Sequence, residues 1–258
     1  METTMRDVPT KTRRILWRVF RITRLLLLVM ILPIVTGSPV YTEETPLAND
    51  SGLTADERQW LDDNISRITL LYNSDSYPVE FNSIDKGFSG LSAEIVSRIE
   101  KKLGVTFRKE YRGDWPSHLR ALESGECALV PAIVRTKPRE KFAFFTSPYV
   151  SIPVVIITHS GRSGRIEMDD LIGKKVVVGR GFAQEKFIRD DFAGKMEIYS
   201  VDSIDEGMRL VESGHADAYI EQLPYATSYI TQHGTTNLRI AGSSGYYLDL
   251  RIGVSRKY

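Results

Sequence analysis

Arg139 stands just beyond an apolar run, Ala128–Val134, separated from it by the polar turn Arg135-Thr-Lys-Pro138. Thr136 is placed to cap a short helical turn and Pro138 suits its first position. Arg139 then lies where a helix dipole disfavours a cation. A guanidinium at the mouth of a strand offers a grip to an anionic ligand; a solvated surface arginine is the plainer alternative. A second place is Val178-Gly-Arg-Gly-Phe-Ala-Gln184, which follows a strand and opens a helix. Gln184 replaces the third glycine of a dinucleotide fingerprint. The segment therefore reads as an ordinary strand-to-helix turn, or as one whose Gly181, Phe182 and Ala183 amides hold a small anion or carboxylate. Glu221 and Gln222 end a buried strand, where a carboxylate could hold an amine or act as a general acid. Tyr77, Phe81 and Trp115 follow strands, where their rings could wall a cleft or pack beneath a loop.

Other chemistries lack their signatures. His118, His159, His215 and His233 show no metal-ligand spacing, and Cys127 is the single cysteine, so neither a disulfide nor a cysteine metal cluster is expected. Cys127 opens an apolar run and reads as a small buried hydrophobe. There is no Gly-x-Ser-x-Gly elbow and no Walker loop. No catalytic residue, cofactor or metal is therefore expected. Residues 1–36 hold seven basic and two acidic side chains, a charge of +5, so a total of +1 leaves the rest near −4. A mildly acidic body argues against a nucleic-acid footprint, which needs a basic face.

The elements that must position these residues alternate. Thr54-x-x-Glu57 is a capping box opening a short lead helix. Arg67–Tyr72 reads as a first strand, 73–86 as loop, Leu91–Leu103 as a helix closed by Gly104, and Val105–Tyr111 as a strand. Trp115–Ser124 reads as a helix closed by Gly125, feeding the Ala128 strand. The pattern restarts with strand 175–178, helix 183–190, strand 196–199, helix 205–213, strand 216–220 and helix 223–232. Leu119-Arg-Ala-Leu-Glu-Ser-Gly125 and Met208-Arg-Leu-Val-Glu-Ser-Gly214 lie 89 residues apart, and each feeds an apolar strand. Two similar α/β lobes follow, with 151–159 and 248–255 placed to connect them. A cleft between such lobes, at the carboxyl ends of their strands, is a ligand site.

The amino terminus carries its own message. Leu25–Val35 is an uncharged run of eleven residues, behind a basic segment and ahead of Thr36, Gly37 and Ser38. Eleven is short of the roughly 20 a membrane helix needs and matches the core of an export signal. A cleaved signal is the first reading and an uncleaved anchor the second.

These residues also carry a resemblance. Thr136-x-x-Arg139, Phe145-Thr-Ser-Pro-Tyr149, Glu123-Ser-Gly125, Gly173-Lys-Lys-Val176 and Arg180-Gly-Phe182 resemble the family 3 extracellular solute-binding proteins, which have a two-lobed Venus-flytrap fold. Leu53-Thr-x-x-Glu57-x-x-Trp60-Leu61, Val130-Pro-Ala132 and Asn237–Gly242 are similar to the branch that forms periplasmic sensor domains of bacterial histidine kinases and diguanylate cyclases. In amino-acid-binding members, the resemblance implies, the arginine grips the ligand carboxylate with help from nearby hydroxyls. Here Ala132 and Val134 stand where Ser or Thr would help, Phe182 and Ala183 fill the second-lobe turn, and Glu221-Gln222 replaces an amine-binding Asp. An organic acid or another small anion is thus as well suited as an α-amino acid.

The expected fold is α/β, a two-lobed periplasmic-binding-protein-like (type II) fold, each lobe a mostly parallel sheet flanked by helices. Residues 1–36 form the signal or anchor, 37–64 a linker and lead helix, 65–150 lobe 1 with 245–258 returning to it, and 151–244 lobe 2. The expected function is non-catalytic: an exported, periplasmic sensing domain that binds a small polar or anionic molecule and signals by lobe closure. Its expected partners are that ligand and a membrane-embedded sensor output module or an ABC permease, with no nucleic acid. The alternatives are a free binding component of an amino-acid transporter and a dehydratase-like enzyme with Glu221 as general acid.

Overall fold

The computed structural model describes residues 51–112 and 114–258; the expected export signal lies outside them. The lead helix α1 (Ala55–Asn64) has both halves of its capping box: the Thr54 hydroxyl accepts from the Glu57 amide, and the Glu57 carboxylate accepts from the Thr54 amide at 2.8 Å. Strand β1 (Thr69–Asn73) then enters the core, with Leu70 and Leu71 packed on opposite faces.

The stretch expected as loop after β1 contains a small antiparallel sheet of β2 (Asp75–Ser76), β3 (Glu80–Ser83) and β4 (Gly87–Ser89). Its strands are too short and too polar to announce themselves by alternation, and pairing with one another makes them. Helix α2 (Leu91–Leu103) follows and ends at Gly104, whose φ of 65° lies in the left-handed region. Strand β5 (Arg108–Arg112) pairs parallel with β1. Helix α3 (Trp115–Ser124) keeps its expected bounds because both ends are signalled: Asp114 caps the Ser117 amide at 2.8 Å, Pro116 sits in the first turn, and Gly125 has φ 81°. Strand β6 (Leu129–Val134) completes a parallel trio with β1 at its centre.

The second half repeats the plan. Strand β9 (Lys175–Gly179), helix α4 (Ala183–Asp191), strand β10 (Glu197–Val201), helix α5 (Ile204–Glu212), strand β11 (Ala218–Gln222) and helix α6 (Leu223–His233) alternate, with β9 parallel to β10 and β11. Val176 and Val178 face one core while Val177 faces another, so helices cover both sides of the strand.

Two long strands join the halves. Strand β8 (Val150–His159) lies antiparallel to β11 and to β12 (Leu238–Ser255), and β12 also pairs with β6 and the short β7 (Ala143–Phe145). One sheet therefore runs β10-β9-β11-β8-β12-β6-β1-β5, parallel at its ends and antiparallel at its centre. The last strand begins at Leu238, ten residues before the expected 248. Gly245, with φ 81°, and register shifts between Ile240 and Gly242 and between Ser243 and Tyr247 interrupt the apolar pattern within it. Cys127 is fully buried, and burial pushes its thiol up to about 12, so it packs as the expected hydrophobe.

Candidate functional site

The carboxyl ends of β1 and β6 and the start of α3 face the strand-to-helix turns of the second half. Arg139 opens a 3-10 turn, Arg139–Lys141, just past β6, and is 6% exposed. One of its terminal nitrogens donates to the Val134 carbonyl at 2.8 Å; the other crosses to the Gly181 carbonyl at 2.9 Å. Its guanidinium also sits 5.4 Å from the Trp115 ring centre. Burial lowers its pKa to about 10, which leaves it charged at neutral pH. The expected side-chain cap from Thr136 is absent: the Thr136 carbonyl accepts from the Glu140 amide at 3.0 Å, and the cap position belongs to Pro138. Thr136 stands two residues before that cap.

The second-half turn is likewise occupied by its own chain. The Gly181 amide donates to the Glu185 carboxylate at 2.6 Å, so the anion expected at this helix start is supplied from one turn further along α4. Gly181 takes φ 74°, and that conformation aims its carbonyl at both Arg139 and the Trp115 indole, whose nitrogen donates to it at 3.1 Å. Phe182 lies over Trp115 with ring centres 5.7 Å apart and planes 17° from parallel. These contacts make a latch across the cleft.

Behind the latch is a cavity of about 20 Å³, the room one water needs. Trp115, Ala132, Val134, Arg139, Phe182, Ala183 and Gln222, all expected at the site, line it. Gly181 contributes to the latch through its carbonyl. Tyr77 is 45% exposed and pairs with Phe81, their rings 4.9 Å apart, and neither lines the cavity. Phe81 lies on β3 and Tyr77 in the turn between β2 and β3.

Glu221 is buried, but not as an open group. Its carboxylate accepts from the Tyr219 hydroxyl, from the Gln222 amide at 2.7 Å and from the Gln184 side chain at 3.3 Å. Burial raises its pKa to about 7, against the lowering effect of those hydrogen bonds. With both oxygens taken, Glu221 offers a general acid–base step no free position.

Asn73, Ser76, Glu80, Gln184 and Tyr225, which were not among the expected site residues, complete the cavity wall together with Leu248 and Leu250. Glu80, on β3, is 2% exposed, and burial pushes its carboxyl up to about 8. One of its oxygens accepts from the Asn73 amide at 3.0 Å; the other has no protein partner. Asn73 Oδ1, Gln184 Oε1 and Gln222 Oε1 are also buried without partners. A charged residue inside Tyr77-Pro-Val-Glu-Phe81, and a glutamine in place of a fingerprint glycine, were the available signals.

Known proteins resemble this chain in sequence and in fold. Residues 68–239 match the bacterial extracellular solute-binding proteins, family 3. The virulence sensor protein BvgS of Bordetella pertussis (strain Tohama I) is 26% identical over 191 residues, 74% of this chain and 15% of that protein. The probable amino-acid ABC transporter-binding protein of Haemophilus influenzae is 26% identical over 182 residues, 69% of this chain and 68% of that one. In three dimensions, the crystal structure of the Bordetella pertussis BvgS periplasmic VFT2 domain superposes with a TM-score of 0.68 at 24% identity, covering 80% of this chain and 87% of that one. The chain thus spans less than a sixth of the sensor relative's length, and the expected Venus-flytrap fold is the observed one.

Proposed function

This chain belongs to the bacterial extracellular solute-binding proteins, family 3, and from that premise we propose that it binds a small polar molecule between its two halves, in the periplasm, and reports it by lobe closure. Residues 65–150 with the returning 245–258 act as one lobe and 151–244 as the other. The observation that carries this reading is the cavity itself. Both halves wall it, hydrogen bonds and ring stacking close it, and buried polar atoms without protein partners line it.

A ligand that completes those partners stabilises the closed arrangement over any other, and the signal is that shift in population. We read the domain as non-catalytic, in keeping with its binding and sensor relatives, and Glu221 is engaged by its own neighbours. Its output is a membrane-embedded sensor module or an ABC permease, the two settings in which its relatives work. Amino acids and organic acids are the first ligand classes to test.

Thermal unfolding of the full chain against amino acids, organic acids and polyamines tests this. A ligand raises the midpoint progressively with its concentration, by mass action. A panel that leaves the midpoint unmoved, together with an unchanged tryptophan emission, would refute the reading.

A further inference from the structure

We propose that the group recognised in the cleft is an ammonium ion or the ammonium head of a small amine, held by Glu80 and by the side-chain oxygens of Asn73, Gln184 and Gln222, with no ligand carboxylate required. This rests on the cleft being the ligand site and adds the chemical class of what enters it.

The buried hydrogen-bonding capacity of the cleft is one-sided. Among the described residues, five buried side-chain polar atoms lack a protein partner; four of them belong to cavity-lining residues, and all four are oxygens. Leaving one such atom unpaired is costly, and four on residues that line one small space point to what completes them. A water has two protons to donate and would leave two of these oxygens unserved. An ammonium ion has four N–H donors and is of a water's size, which suits a cavity of about 20 Å³. An amide can turn to present its NH2 group, whereas Glu80 once ionised can only accept, and the carboxylate left when its proton departs sets the sign of the occupied site.

The donor side points the same way. Arg139, the residue placed to grip a carboxylate, gives its terminal nitrogens to the Val134 and Gly181 carbonyls. The Gly181 amide is given to Glu185. An anionic ligand would find its grips already engaged and would face four oxygens.

Protonation gives the site a signature. Asp75, Tyr72, Tyr149 and Tyr225 lie near Glu80 as acidic or neutral groups; Arg139, the cation on the cavity wall, opposes a second cation, but its terminal nitrogens are engaged by the Val134 and Gly181 carbonyls. Burial holds the Glu80 carboxyl near 8, so at pH 7 it is mostly protonated. An ammonium ion entering displaces that proton to solvent and leaves a carboxylate–ammonium pair. Binding therefore releases up to one proton at pH 7, and affinity rises about tenfold per pH unit until the pH reaches the Glu80 pKa.

The test is calorimetric titration and thermal unfolding of the full chain with ammonium and methylammonium chloride, against potassium chloride at matched ionic strength. Glycine and acetate serve as carboxylate-bearing probes, and putrescine separates a free ion from an amine head. We expect ammonium or methylammonium to raise the midpoint beyond potassium, with proton release that changes the heat between buffers of different ionisation enthalpy. Glu80→Gln should weaken binding roughly 30-fold or more. The proton release is measured on the unaltered chain, so it stands even if Glu80→Gln does not fold. Equal shifts with ammonium and potassium, or ammonium binding unchanged in a folded Glu80→Gln, would overturn the inference. Acetate raising the midpoint where ammonium does not would overturn this inference and leave the cleft reading standing. A midpoint moved by no probe, and by no member of the wider panel of amino acids, organic acids and polyamines, removes both.

Discussion

Two buried glutamates, one in each half, have opposite surroundings. Glu221 ends β11 with both oxygens engaged by Tyr219, Gln222 and Gln184. Glu80, on β3 and in the cavity wall, spends one oxygen on the Asn73 amide and leaves the other without a protein partner. Burial raises both carboxyls, to about 7 and about 8 respectively. An elevated pKa therefore does not distinguish a functional carboxylate from a structural one. The distinction is whether hydrogen-bonding capacity remains to be filled.

The comparison is sharpest where the latch that encloses it is broken. Trp115→Ala removes the stack on Phe182, the hydrogen bond to Gly181 and the face beneath Arg139, and should cost about 3–5 kcal/mol of stability by urea unfolding. Glu221→Leu strands the Tyr219 hydroxyl, the Gln222 amide and the Gln184 side chain. It should cost roughly 3 kcal/mol at pH 6, whereas Glu80→Gln, which keeps an oxygen for the Asn73 amide, should cost less than 1 kcal/mol. Equal losses would erase the contrast between the two carboxylates. Gly181→Ala forces an alanine to φ 74° and should cost about 1–2 kcal/mol, weakening the latch without touching either glutamate.

The pH dependence separates the two more finely. Each carboxyl binds its proton more tightly folded than unfolded, so each favours the folded state fully below the ordinary glutamate pKa of 4.5 and loses that advantage as pH rises towards its folded value. The loss ends near pH 7 for Glu221 and near pH 8 for Glu80. Between pH 7 and 8 the unaltered chain should lose up to roughly 1 kcal/mol that Glu80→Gln retains, and Glu221→Gln should not retain it.

Much of this fold was legible in the chain. Helix α3 kept its bounds because Asp114, Pro116 and Gly125 mark both ends, and β9 was visible in Lys175–Val178 as a strand, which the fold then buries on both faces. The position of Arg139 and its nearness to Gly181 and Phe182 were also within reach, through the family motif. Its partners were not, because the carbonyl of Gly181 meets the guanidinium only once two halves are folded against each other. Glu80 was hidden for the same reason. It lies in a short strand with no periodic signal, and its burial depends on a wall that Gln184, Gln222 and Tyr225 supply from the other half. Propensity describes elements; the saturation of a polar atom belongs to the assembled cleft.

The central claim is that a small molecule seats between the halves and shifts their closure. Spin labels on Arg120→Cys in α3 and Lys186→Cys in α4 report that separation by electron–electron dipolar spectroscopy, with native Cys127 buried and protected. Adding ammonium chloride in place of sodium chloride should raise the fraction of molecules at the shorter distance. A distance distribution unchanged at ammonium concentrations that saturate binding would contradict it.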